Sequence, residues 1–105
     1  MASVKEKSLA FLTVSFYDED NVLATPTSAT WEVHDKGAGT VMKAATAMTP
    51  IASTYEIELV SSINALVNSS NMEETRVVTV KASFGTDKEV NDEYEYDVVG
   101  LEYVP

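Results

Sequence analysis

From Thr75 to Phe84 the chain reads TRVVTVKASF, and Val78, Val80, Ala82 and Phe84 fall on one side of an extended backbone. Arg76, Thr79, Lys81 and Ser83 mark the segment as only half buried. A period of two with one apolar and one polar row predicts a sheet strand with a dry and a wet face. The run EYEYDVV, Glu93 to Val99, repeats the alternation, with Tyr94, Tyr96 and Val98 against Glu93, Glu95 and Asp97. It is expected to fold back on the first run through a polar connection from Gly85 to Asp92.

Earlier segments carry the same signature. Leu9 to Tyr17 places Ala10, Leu12, Val14 and Phe16 on one face and leaves Phe11 on the other, with Thr13 and Ser15. Asp18-Glu19-Asp20-Asn21 then breaks the pattern as a turn. Pro26, which has no amide donor, suits the beginning of a second strand from Ala29 to Asp35. There Ala29, Trp31 and Val33 alternate with Thr30, Glu32 and His34. Lys36-Gly37-Ala38-Gly39 reads as a hairpin turn, returning through a weaker strand from Thr40 to Ala45. Ser53 to Val60 turns Tyr55, Ile57 and Leu59 inward. From Ser61 to Asn68 the period changes, and Ile63, Leu66 and Val67 at spacings of three and four predict one or two helical turns.

About seven strands, short turns, one brief helical crossover near residues 61–68 and no alternation of strand with long helix predict an all-β fold. The expected form is an immunoglobulin-like antiparallel β-sandwich, with a β-barrel as the alternative. The expected core includes Trp31, Val78, Val80, Phe84 and Tyr96. Residues 1–8 are expected to be an N-terminal arm lying on a neighbouring subunit, and residues 9–105 a single domain.

Composition narrows the chemistry. The 105 residues include no Cys, which excludes disulfides, thiolate catalysis and Cys-based zinc sites. Seven Lys and Arg against 17 Asp and Glu give a formal charge of −10. That charge argues against free nucleic acid or an anionic membrane as partner. No run reaches the ~20 apolar residues of a membrane span. Met1 to Ser8 lacks the pattern of a cleaved leader, so a cytosolically made, unprocessed protein is expected.

Candidate reactive residues each meet a simpler reading. His34 is the sole histidine and stands beside Asp35, too few groups for a triad or a metal site. Asp18 to Asn21 is rich in oxygen but lacks the glycine and the terminal glutamate of a calcium loop. Asn68-Ser69-Ser70 matches a glycosylation acceptor, to which nothing else adds weight. The acids of the last hairpin alternate with apolar residues, so they read as a solvated or partner-docking face and not as a shifted catalytic pair. The docking candidates are Asp92, Glu93, Glu95 and Asp97. No catalytic, cofactor-binding or metal-binding residue is expected.

The segments PTSATWEVHD, YEIEL, NMEETRVVTVKASF and NDEYEYDVVGLEYV, in that order, resemble small virion proteins of tailed bacteriophages. Three cues carry the resemblance: Pro26 to Trp31, Glu74 to Val80, and Asp92 to Leu101. Members of that group more usually close the last segment with Asn-Leu, where this chain has Gly100-Leu101. The resemblance implies an immunoglobulin-like sandwich, no enzymatic activity, and a capsid-decorating, neck or tail-accessory role. The implied partners are other virion proteins, met in many copies per particle after synthesis in the host bacterial cytoplasm. A ligand- or carbohydrate-binding sandwich, with Trp31, Tyr17 or Tyr103 as stacking platforms, is the alternative, as a tail or cell-surface adhesion module.

Overall fold

The computed structural model describes residues 3–101. Seven strands form among them: β1 (Ser3–Lys5), β2 (Ala10–Ser15), β3 (Ser28–Asp35), β4 (Val41–Ala47), β5 (Thr54–Leu59), β6 (Glu73–Ser83) and β7 (Glu89–Val99). They divide into a five-stranded sheet, β1-β7-β6-β3-β4, and a two-stranded ribbon, β2-β5. All pairings are antiparallel except β1 with β7. The chain is therefore all-β, with two sheets stacked as in a sandwich.

Alternation sets which side of each strand is dry. Ala29, Trp31 and Val33 of β3, Val78, Val80 and Ala82 of β6, and Tyr96 and Val98 of β7 form the inner face of the large sheet. Val14, Ile57 and Leu59 close on them from the ribbon, with Phe16 just beyond β2 and Ile63 from the following loop. Phe84 packs against this cluster while staying partly exposed. Trp31 lies in the core, its indole Nε1 buried without a hydrogen-bond partner among the described residues.

The β6–β7 hairpin dominates the shape. Its strands have 11 residues each, roughly 36 Å at about 3.3 Å per residue, in a molecule measuring 47 × 21 × 20 Å. β7 begins at Glu89, four positions before the alternation of apolar residues starts. Glu89 to Asp92 pair with Ser83 to Val80 through the backbone ladder although their side chains are exposed. The connection is correspondingly short, with Gly85 at φ 142° and Asp87 at φ 58°.

No helix forms between residues 61 and 68, or elsewhere among the described residues. The amides of Ile63, Asn64 and Ala65 instead donate three residues back, to Val60, Ser61 and Ser62. A helix would direct the Val67 amide to the Ile63 carbonyl. Here Ile63 O accepts from Arg76 Nε, and the Val67 amide donates to Glu74 Oε1 at 2.8 Å. The apolar spacing that predicts a helix is real, but β6 captures the backbone groups a helix would use.

Ser3 to Lys5 join their own molecule's sheet, pairing with Asp97 to Val99. Glu6 N donates to Val99 O at 2.8 Å, and the buried Glu6 carboxylate accepts from Leu101 N at 2.6 Å. Gly100 donates to Met72 O at 2.7 Å. A Cβ at that position would lie 3.1 Å from Met72 O and 3.2 Å from Asn71 O, so the close approach of the two backbones explains the glycine.

Candidate functional site

Three constellations bear on function: a buried polar cluster, an acidic sheet face, and a free edge beside an apolar groove.

The buried cluster centres on Arg76. It shares the parity of Val78 and Val80, so it points inward and is 0% exposed, not a marker of the wet face. Its Nη1 donates to Asp35 Oδ1 and, at 3.0 Å, to Glu74 Oε1. Its Nη2 donates to Ala65 O at 2.6 Å. Glu74 also accepts from the amides of Val67 and Asn68 and from Asn71 Nδ2. Asp35 Oδ2 accepts from Ala38 N at 2.8 Å, so one carboxylate joins Arg76 to the β3–β4 turn.

Beside it, Tyr96 Oη donates to Asn64 Oδ1 at 2.7 Å, while Asn64 Nδ2 donates to the carbonyls of Ser8 and Leu59. Burial alone raises the Glu74 pKa. The amides of Asn68 and Val67, with Asn71 and Arg76, outweigh it and bring the value down to about 2. Burial pushes the Tyr96 hydroxyl up to about 12, opposed by the nearby Arg76 charge. The donors and acceptors of this cluster satisfy one another, and the two carboxylates are turned toward Arg76 and backbone amides. It is suited to clamping the 60–72 loop to the sheet.

The acidic face lies on the opposite side of the same strands. Glu93, Glu95 and Asp97 project outward from β7, opposite Thr79, Val77 and Thr75 of β6. Lys36 Nζ lies 3.1 Å from Glu95, and Thr75 Oγ1 donates to Asp97 Oδ1 at 2.8 Å. Asp92 departs from this row. It has the parity of Tyr94 and Tyr96 and therefore sits on the inner side, opposite Val80. Its carboxylate Oδ1 accepts from Glu93 N at 2.8 Å. Burial and then the neighbouring Asp92 charge raise the Tyr94 pKa.

The free edge follows from the short reach of β1, which covers β7 only at Asp97 to Val99. The acceptor Val99 O, bonded by Glu6 N, shows that odd-numbered residues of β7 direct their backbone groups away from β6. Asn91 and Glu95 therefore present amides and carbonyls, and Glu93 its carbonyl, to a side where no described strand pairs, the Glu93 amide being taken by Asp92. Under this edge, Val14, Phe16, Tyr17, Val80, Phe84, Val90 and Tyr94 line a hollow of about 210 Å³ together with Ser15 and Asp92. Tyr17 and Val90 are 52% and 51% exposed.

The remaining candidates stand apart. His34 lies on the outer face opposite Val77 and Val41. Asp18 Oδ1 accepts from Asp20 N and Val22 N and so builds its own turn. Asn68 Oδ1 accepts from Ser70 N. No cluster of three or more metal-ligating side chains occurs among the described residues. Trp31 is inside the core, and Tyr103 lies outside the described residues. The buried cluster has a legible signal in hindsight, since Asp35, Glu74 and Arg76 continue the inward parity of Val33 and Val78. The free edge depends on where β1 stops, which no residue pattern announces.

In comparison with known proteins, no protein-family model, no curated protein and no solved structure matches this chain.

Proposed function

We propose that the chain is a non-enzymatic structural module of a tailed-bacteriophage virion that docks on other virion subunits in many copies, at the capsid surface or the head–tail neck. The observation that carries this reading is the long β6–β7 hairpin with Glu93, Glu95 and Asp97 in one outward row. A row of like charges on a rigid sheet favours a basic protein surface over other partners and steers its approach. The resemblance at Pro26 to Trp31, Glu74 to Val80 and Asp92 to Leu101 supports the virion setting.

The finer fold assignment belongs to this proposal. The order β7-β6-β3-β4, faced by β2-β5, supports an immunoglobulin-like arrangement. In it β3, β6 and β7 take the places of strands C, F and G, and β2 and β5 those of B and E. Trp31 on β3 then stands on the strand that carries the buried tryptophan of such domains.

A second reading, a carbohydrate- or ligand-binding module, is favoured by the half-exposed ring of Tyr17 beside the groove. Burial of Trp31 removes its strongest stacking platform. Mass spectrometry of purified particles separates the two. Copies of this chain in the virion are expected, and their absence would overturn the structural reading. Glycan binding lost on Tyr17→Ala would favour the second.

A further inference from the structure

The part of the β7 edge that no described strand pairs has the chemistry of a strand-docking site. We propose that Asn91 to Glu95 accept an extended segment of a partner protein in which basic residues alternate with apolar ones. This deepens the docking reading above by naming the partner's chemistry.

Three features lead to that occupant. First, Asn91 and Glu95 offer backbone donors and acceptors, and Glu93 its carbonyl, in register for another strand, the requirement for recognition by strand addition. Second, the two sides of the edge differ. Side chains of an added strand would alternate between the outward row of Glu93 and Glu95 and the inner hollow lined by Phe16, Phe84 and Tyr94. Lysine or arginine suits the first side and a branched or aromatic residue the second. Third, the chain already shows what this edge accepts. In β1, Val4 packs against the core beside Val98, while Ser3 and Lys5 face outward.

The acids also act against wrong partners. A second copy of β7 brought to this edge would set glutamate against glutamate, which disfavours self-pairing. Asp92 strengthens the guard by occupying the outward amide of Glu93. A basic strand reverses the electrostatic sign, and Lys36, which lies on Glu95, would have to share that carboxylate.

The test uses the isolated protein and short synthetic peptides alternating Lys with Val, so its outcome is independent of whether the chain is found in particles. Binding followed by amide chemical shifts is expected at Asn91 to Glu95 and to weaken with salt. A peptide with Glu in place of Lys should bind at least ~10-fold more weakly, as expected when attraction becomes repulsion. N-methylation of the peptide amides that would face β7 should weaken binding about tenfold or more through lost hydrogen bonds. Asn91→Pro, which removes an outward N–H used neither by β6 nor by Asp92, should do the same. Unchanged affinity for the N-methylated peptide overturns strand addition even if the proline variant fails to fold. Equal affinity for the Glu and Lys peptides overturns the charge assignment, and shifts mapping to β2 and β5 would place the site elsewhere.

Discussion

Asp35 and Arg76 stand directly opposite each other on β3 and β6, and their charged groups meet inside the molecule, not on its surface. Glu74 joins them from the same strand as Arg76, so one cation serves two buried anions. Burying charge is costly unless each group is fully bonded. Here the surplus negative charge is met by the amides of Val67 and Asn68, the same amides that hold the loop after β5.

Replacing Arg76 should therefore be among the most damaging single changes in the protein. Arg76→Met leaves Asp35 and Glu74 buried without their cation and is expected to cost about 3–5 kcal/mol. Arg76→Lys should recover only part of this, since an ammonium cannot span two carboxylates and two carbonyls. Urea unfolding of the three proteins checks the order, and a loss below that of an exposed ion pair would show that the cluster is not structural.

Acid should act through Glu74. Its folded pKa of about 2 lies below the ordinary 4.5. The stability it contributes is thus complete above pH 4.5 and lost as pH falls toward 2. The loss amounts to about 3 kcal/mol at most. Glu74→Gln should lower stability at neutral pH and flatten the acid limb of a stability–pH profile. A limb as steep as that of the unaltered protein would assign acid sensitivity to other carboxylates.

At the alkaline end Tyr96 should ionise later than an ordinary tyrosine. Its pKa is pushed up to about 12, so its contribution is intact below pH 10 and lost as pH rises through 12. Ultraviolet titration is expected to show, beside the raised Tyr94, a late ionisation coincident with unfolding that Tyr96→Phe removes. The same variant loses the bond to Asn64, at about 1 kcal/mol.

Gly100→Ala should destabilise through crowding alone. The added methyl would press on two backbone carbonyls that cannot rotate away, with an expected cost of about 1–3 kcal/mol. A fall in Tm without change in the denaturant slope is the expected result. An unchanged Tm would mean that the turn before β6 can move aside.

Charge reversal on the outer face should leave stability nearly untouched. Glu93→Lys with Glu95→Lys removes the exposed contact to Lys36, worth about 0–1 kcal/mol. Binding to a basic partner is expected to disappear while Tm stays put. A partner that binds the doubly reversed protein as well as the original does not use this face.

The strands were legible because their inner faces are simple. Trp31 and Val33, then Val78 and Val80, repeat every second residue, and no competing period interferes. Reading failed where a polar residue continued an apolar row. Arg76 reads as solvent-facing by type, yet parity and register place it opposite Asp35. Residues 61–68 misled for a related reason: local spacing favours a helix, but the distant Arg76 and Glu74 bond the groups it would need. Asp92 and Glu93 look alike by composition, whereas alternation puts the two on opposite faces. Among the docking candidates, Glu93, Glu95 and Asp97 could be read as one face from alternation alone.

The pairing of β1 with β7 also has a consequence for how the chain is made. These are the first and last of the described strands, so the large sheet cannot be completed until β7 has been synthesised. Contacts between distant segments form slowly because the intervening chain must first be ordered. During that interval the whole outer edge of β7, not only Asn91 to Glu95, is open, and its acids face the crowded cell alone. Two such unfinished edges would meet with acid set against acid, a pairing that like charge disfavours.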